Sequence, residues 1–163
     1  MTDEQLRLDS DLLNVLRAGV TCAIERGAQF VAPSHLLLGL LADPLIGPAI
    51  APLVPRDTIE KAAADAAAKP SQLTEVPEDP PPGGDEPFVR YESLAFRSQD
   101  GAHTLYLDAE SLRLFVEGAR RAVEVYRAKH LVYGFTAEAV KDRDLLNLFG
   151  TDPQSVSKAV EGL

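Results

Sequence analysis

Cysteine, tryptophan and histidine are scarce in this chain: its 163 residues contain one, none and three of them. One cysteine cannot close an internal disulfide and gives no zinc-binding spacing, which indicates a cytoplasmic protein. The three histidines, His35, His103 and His130, stand at no helical spacing for joint metal binding, so no metal site is predicted. Positive charge is also in deficit. The 16 Lys and Arg against 25 Asp and Glu give a net charge of −9, which argues against nucleic acid or an anionic membrane as the partner.

Catalytic and nucleotide-binding motifs are absent from the sequence. It contains no GxxxxGK[ST], HExxH, GxSxG or CxxC pattern. Ser34 and His35 are neighbours, but adjacent helical residues point about 100° apart and cannot form a nucleophile–base pair. Cys22 falls near an apolar stripe, which favours a buried small side chain over a reactive thiol. The sequence therefore predicts no enzyme, no cofactor and no ATP binding.

One long apolar run needs an explanation. Residues 36–55 carry a single charge, Asp43, and about 20 apolar residues are enough to cross a bilayer. Four prolines interrupt the run, and each removes a backbone donor that lipid could not replace. The run is therefore interpreted as a buried helix followed by a proline-rich turn. The first five residues are acidic and polar, unlike a secretory signal.

The chain repeats itself. Residues 8–20 align with 107–119, each block opening on Leu-Asp, and residues 35–40 (HLLLGL) align with 130–135 (HLVYGF). The connection between the two blocks is shorter in the second copy. Asp57 and Asp152 then open a last helical segment in each copy. The sequence thus predicts two copies of one helical unit.

Helical periodicity dominates the first copy. Apolar residues recur at helical spacing over 12–24, with Asp9 or Ser10 as the N-cap and Gly27 as the end. Pro33 suits the first position of a second helix, which is apolar on all sides and should lie buried at the centre of its unit.

The remaining predicted helices follow from caps and stripes. Asp57 and Glu60 predict a capping-box-like start for an alanine-rich helix that runs to Lys69. Asp108 is predicted to cap the first helix of the second copy. The apolar stripe of that helix comprises Leu112, Phe115, Val116, Ala119, Val123 and Tyr126. Two further helices are predicted near 144–149 and 153–161.

A different composition separates the two copies. Residues 70–87 hold six of the twelve prolines and five acids but no Lys or Arg, which predicts an extended linker. Asp100-Gly101 then stands between the apolar stretches 94–98 and 103–107 and is a strong hairpin signal. A two-residue turn there would pair Phe96 with Leu105 and Leu94 with Leu107 on one apolar face. A helix that starts near Glu92 is the alternative.

Together these features resemble the Clp N-terminal domain, or Clp repeat domain, which caps the AAA+ unfoldases of Clp protease and disaggregase systems. The resemblance rests on the two helical copies and on the HLLLGLL run of residues 35–41, of which 130–135 is a degraded second copy. It implies an all-α single domain over 1–163, built from two pseudo-twofold four-helix repeats. The repeats would span 6–69 and 107–162, with the linker and hairpin inserted at 70–106.

Several residues depart from the family pattern. Family members carry a glutamate before each repeat histidine, and in some of them this pair recognises phosphorylated arginine. Ser34 and Lys129 stand at these positions here, so the resemblance predicts weak phosphoarginine binding that two glutamates would restore. Pro48 and Pro52 fall where a short third helix is expected, which predicts a shortened helix. No ATPase motif accompanies the match, so a free-standing repeat domain is expected.

The resemblance also implies a function, the docking of substrates and adaptor proteins. We therefore expect a non-enzymatic protein-interaction module whose partner is a protein or peptide, acting as accessory, adaptor or decoy in Clp-dependent proteolysis. The alternative is a repurposed Clp-repeat domain that binds a small molecule or peptide independently of proteolysis. The candidate partner-binding residues lie around the two repeat histidines and on the hairpin: Ser34, His35, Lys129, His130, Leu94, Phe96, Leu105 and Leu107.

Overall fold

The protein is mostly helical, as its computed structural model shows. The structure describes residues 7–28, 30–68, 95–98, 104–122, 124–139 and 152–162. In chain order these contain β1 (Arg7–Leu8), α1 (Ser10–Glu25), α2 (Pro33–Leu41), α3 (Ile46–Ile50), α4 (Arg56–Ala68), β2 (Ala95–Arg97), β3 (Thr104–Tyr106), α5 (Ala109–Arg121), β4 (Val125–Tyr126), α6 (Ala128–Ala139) and α7 (Pro153–Val160). Helices make up most of these ranges, and the short strands there form only two two-stranded pairs. The predicted all-α class is therefore confirmed.

Helix α1 begins and ends where the sequence predicts. Asp9 is its N-cap, with an extended backbone. At the other end Gly27 has a φ of 76°, in the left-handed region that favours glycine. The amide of Ala28 then donates to the carbonyl of Ala23 at 2.9 Å, and that of Gly27 to Ile24 at 3.0 Å. These two bonds form a Schellman motif, which satisfies carbonyls that the helix itself leaves free.

The predictions for α2 and α3 are also confirmed. Pro33 occupies the first position of α2, and nearly all of this helix is buried. Helix α3 has only five residues and contains Pro48. Among the described residues, no helix is long and apolar enough to span a membrane.

Helix α4 differs from its prediction in one detail. It begins at Arg56, one residue before Asp57. The Glu60 carboxylate accepts a hydrogen bond from the guanidinium of Arg26, the C-cap residue of α1. Lys69, the predicted end, lies outside the described residues.

The stripe predicted for α5 is wrong at its end. Asp108 caps the helix as predicted, because its carboxylate accepts from the amide of Ser111 at 2.8 Å. The helix stops at Arg121, however, and Glu124 adopts a left-handed φ of 68°. Tyr126 therefore lies on β4, where it is buried and donates its hydroxyl to the carbonyl of Phe115 at 2.7 Å. Val123 lies outside the described residues.

The predicted hairpin exists in the part that the structure describes. Strands β2 and β3 are antiparallel, with Phe96 opposite Leu105 as expected. Leu94, Glu92 and the turn at Asp100-Gly101 lie outside the described residues. Leu107 forms a parallel bridge with Val31. Of the last two predicted helices, 153–161 is confirmed as α7, and 144–149 lies outside the described residues.

Helices of the two halves of the chain share one core. Helix α2 packs against α5, α1 against α6, and α3 against α7. The buried apolar side chains form a single cluster that includes residues from Leu8 to Val160.

Two glycines set the closest helix crossings. A Cβ atom at Gly39 of α2 would lie 2.5 Å from the carbonyl oxygen of Val15 on α1. Gly134 of α6 meets the carbonyl of Leu114 on α5 in the same way, and a Cβ atom would collide there too. Only glycine lets the backbones approach this closely. The aligned glycines of the sequence repeat therefore make matching contacts.

Candidate docking groove

The two aligned histidines have the same local role. Each is the third residue of its helix, and its Nδ1 accepts the amide hydrogen of the N-cap residue: Ala32 to His35 and Arg127 to His130, both at 2.9 Å. Neither N-cap amide can find a partner inside the helix, so the imidazole satisfies it. The histidines thus help to hold the starts of α2 and α6 in shape.

Their surroundings differ. His35 is completely buried, and its Nε2 lies 3.2 Å from the carbonyl of Ala63 on α4. Because Nδ1 accepts, Nε2 carries the proton and donates. Burial lowers the pKa of His35 to about 4, so the ring is neutral at pH 7. His130 is only half-buried, and burial, Lys129 and Arg127 together lower its pKa.

Each helix start touches the opposite half of the chain. Strand β1, just before α1, pairs in parallel with β4, just before α6. The amide of Asp9 donates to the carbonyl of Tyr126, and that of Asp108 donates to Val31, both at 3.0 Å. The starts of α2 and α6 thus have matching backbone pairings. We call these two regions the end at α2 and the end at α6, and their side chains decide what each can bind.

The end at α2 is closed. Ser34 is 4% exposed, and the amide of Val31 donates to the carbonyl of Tyr106 on the hairpin at 2.9 Å. Phe96 of the hairpin is buried against Phe115 of α5, with ring centroids 5.9 Å apart. Other parts of the protein therefore cover Ser34 and Phe96.

The end at α6 is open and forms a groove. We call it the Lys129 groove, and six residues line it: Asp11, Asp43, Leu45, Ile46, Arg127 and Lys129. Its enclosed volume is about 10 Å³, and the rest of the groove is open to solvent. This is far less than the 300–1,000 Å³ of a typical small-molecule pocket, so the groove is a shallow surface depression that cannot enclose a cofactor.

Most charges of the groove are already paired. The Arg127 guanidinium lies 3.6 Å from Asp9 and 3.9 Å from Asp11. Asp11 also accepts from the amide of Ala128 at 3.3 Å, while burial and the nearby Asp9 raise its pKa. The Asp43 carboxylate accepts the amides of Leu45 at 3.0 Å and Ile46 at 2.8 Å, across the turn into α3.

Lys129 is different. Its side chain makes no hydrogen bond or ion pair with any residue that the structure describes. It stands in the first turn of α6, where the helix dipole disfavours a positive charge. The groove thus combines one unpaired cation with the apolar side chain of Leu45, which is 60% exposed.

The predicted site residues therefore separate into groups. Four of them are buried: Ser34, His35, Phe96 and Leu107. Leu105 and His130 are partly buried, and Lys129 lies in the groove. Leu94 lies outside the described residues.

Sequence reasoning missed the remaining groove residues. Nothing in the sequence distinguishes three of them from ordinary surface charges: Asp11, Asp43 and Arg127. Leu45 lies within an apolar run, which predicts burial. The one available signal was Asp43-Pro44 directly after a buried helix, since an aspartate there caps the next turn and turns Leu45 outward.

The groove holds no metal-binding arrangement. Among the described ranges, no three His, Cys, Asp or Glu side chains gather as metal ligands.

Cys22 is half-buried and burial raises the pKa of its thiol, which keeps it protonated at pH 7.

Comparison with known proteins yields no relative: no protein-family model, curated protein or solved structure matches the chain.

Proposed function

We propose that the protein is a non-enzymatic protein-interaction module of the Clp N-terminal type, which acts as accessory, adaptor or decoy in Clp-dependent proteolysis. In this proposal the chain consists of two pseudo-twofold Clp repeats, with the hairpin as part of an insert. The partner is a Clp unfoldase, one of its adaptors or a client protein.

One observation carries the proposal: the helix pair α1–α2 and the helix pair α5–α6 are built alike. Gly39 and Gly134 make matching crossings, and His35 and His130 cap matching helix starts. A duplicated helical unit with this His-to-Gly spacing is the feature by which the sequence resembles the Clp N-terminal domain. The work of that domain is docking, for which the open Lys129 groove supplies a surface.

The alternative is a repurposed Clp-repeat domain that binds a small molecule or peptide independently of proteolysis, and no specific observation favours it. The groove is smaller than a typical ligand pocket and open to solvent.

A reconstituted protease tests the proposal. Purified Clp unfoldase and peptidase from the source cell would degrade a fluorescent client while this protein is added in increasing amounts. An accessory or adaptor raises the rate, a decoy lowers it, and either change should saturate. An unchanged rate, together with no complex between this protein and the unfoldase or its adaptors in calorimetry, would contradict the proposal.

A negative prediction accompanies it. We expect calorimetric titration with ATP and magnesium to give no saturable heat, because the sequence lacks a phosphate-binding loop. Micromolar ATP affinity would contradict the non-enzymatic assignment.

A further inference from the structure

The buried ring of His35 joins two helices, α2 and α4. Both of its nitrogens are used: Nδ1 accepts the amide hydrogen of Ala32, and Nε2 donates to the carbonyl of Ala63 on α4 at 3.2 Å. The first bond holds the start of α2, and the second ties that start to α4. Because the ring lies between the two helices, it reaches water when they separate.

Few side chains attach α4 to the rest of the protein. In its described part Ile59 and Ala63 are the fully buried side chains, and its main packing partner is α2. Glu60 adds an ion pair with Arg26, but its side chain is 38% exposed, so this pair contributes little. Helices α5 and α6, in contrast, bury several large side chains between them: Leu114, Phe115, Leu131, Val132 and Phe135. A helix with so few buried contacts is expected to open at a lower free energy than the core helices.

A proton on His35 breaks the bond that holds the start of α2. The protonated ring carries a hydrogen on both nitrogens, so Nδ1 becomes a donor and faces the amide hydrogen of Ala32. Two buried donors then point at each other, and the new charge has lost its contact with water. The Arg26 guanidinium at the end of α1 disfavours this charge further. When α4 separates from α2, the ring becomes hydrated and these costs disappear.

The other ionisable groups around His35 keep their charge between pH 7 and pH 5. The Arg26 guanidinium lowers the pKa of the Glu60 carboxyl, so this group stays ionised, and Glu60 in turn raises the pKa of Arg26. Burial keeps the Cys22 thiol protonated. Arg56, whose guanidinium lies 3.7 Å from Glu60, is always charged. A response of α4 in this pH range therefore reports on His35.

From this arrangement we propose that α4 is an acid-released cover: protonation of His35 detaches α4 from α2, while α5 and α6 stay packed together. The open form exposes Ile59, Ala63 and the face of α2 that they cover. His130 makes the matching bond at the start of α6 but is half-buried, so water reaches its ring without separation of the helices. The device is independent of the proposed function, since it needs no partner.

Amide hydrogen exchange of the full chain at pH 7 and pH 5 tests the inference, after correction for the intrinsic effect of pH on exchange. We expect the amide of Ala63 in α4 to open at a lower free energy than those of Phe115 in α5 and Leu131 in α6. Its opening constant should rise about twentyfold from pH 7 to pH 5. This factor follows from a pKa of about 4 in the closed form and the ordinary 6.5 in the open form.

Two histidine variants assign the effect. His35→Gln keeps both hydrogen bonds without titrating, so the rise at Ala63 should fall below about twofold. His130→Gln is the matched control, because it changes the other cap-binding histidine, and it should leave the twentyfold rise in place.

Four results would overturn the inference: equal opening free energies for α4, α5 and α6; an opening constant at Ala63 that does not rise in acid; a rise that persists in His35→Gln; or a rise that disappears in His130→Gln. The first two are read from the wild-type protein alone, so they decide the matter whether or not a variant folds.

Discussion

At the scale of single residues, Gly39 and Gly134 are positions at which the helix crossings leave no room for a side chain. Gly39→Ala and Gly134→Ala would each push a methyl group into a backbone carbonyl of the neighbouring helix. Backbone cannot move aside as a flexible side chain can, so we expect each variant to lower the free energy of unfolding by about 1–3 kcal/mol.

Chemical denaturation checks this prediction, with Gly162→Ala as the matched control. A Cβ atom at Gly162 would meet nothing within 4 Å, so this variant should stay close to the wild-type value. If all three variants were equally stable, the close crossings would not exist in solution.

His35 makes the stability of the protein depend on pH. Its folded-state pKa of about 4 lies below the ordinary value of 6.5, so the unfolded chain takes up a proton first as the pH falls. The contribution of the neutral ring is complete above pH 6.5 and is lost as the pH falls towards 4, by about 3 kcal/mol in total.

The variant His35→Gln separates this effect from that of the carboxylates, which also take up protons as the pH falls. Glutamine can accept from Ala32 and donate to Ala63 without titrating. Lowering the pH from 7 to 5 should therefore lower the free energy of unfolding of the wild type by about 2 kcal/mol more than that of the variant. A difference that stays constant between these pH values would mean that His35 is not buried as a neutral ring.

At the scale of secondary-structure elements, α2 is the centre of the first half of the chain. Leu38 is buried on it, and truncation to alanine leaves a cavity that neighbouring side chains fill only in part. We expect Leu38→Ala to lower the free energy of unfolding by about 2–5 kcal/mol. Leu45→Ala, on the exposed turn, should change it by no more than about 0.5 kcal/mol. Equal losses in thermal or chemical denaturation would show that α2 is not central.

The helices could be predicted because their signals are local. Pro33, Gly27 and Asp108 act on the backbone around them, so a cap or a stop read from the sequence appears in the structure. Tyr126 was misassigned for the opposite reason. Its spacing continues the stripe of α5, but its partner is Leu8, at the other end of the chain, and periodicity does not report a distant backbone pair.

The docking groove was predictable only in part. Lys129 was identified from its place beside the aligned histidine, whereas Leu45 and Asp43 come from a turn whose orientation depends on two backbone amides. Ser34 and Phe96, which were also predicted to contact a partner, are buried, and Phe96 packs on Phe115 of α5. Periodicity and motif alignment do not report this packing between distant parts of the chain.

At the scale of the whole molecule, the buried start of α2 and the open start of α6 both affect phosphoarginine binding. The guanidinium part of this ligand needs free carboxylates, but Asp9 and Asp11 already hold Arg127, and Lys129 could contact only the phosphoryl group. We therefore expect free phosphoarginine to give no saturable amide shifts at micromolar concentration. Saturable shifts at Lys129 in the wild-type protein would contradict this prediction.

The structure also indicates that one substitution, instead of two, should restore phosphoarginine binding. A glutamate at Ser34 would be buried without a partner and would unfold that end of the molecule. Lys129→Glu alone places a carboxylate in the open groove, so it should be sufficient to give measurable phosphoarginine binding. Lys129→Gln is its uncharged control.

The parallel pairing of β1 with β4 has a consequence for synthesis on the ribosome. Leu8 leaves the exit tunnel more than a hundred residues before Tyr126, a delay on the order of ten seconds at ordinary elongation rates. During that interval the nascent chain carries an unpaired strand and the apolar helix α2 without its partner α5. The first half of the protein therefore waits, unfinished, for the last third to be translated, and it is in this period that the chain is most exposed to aggregation and to chaperones.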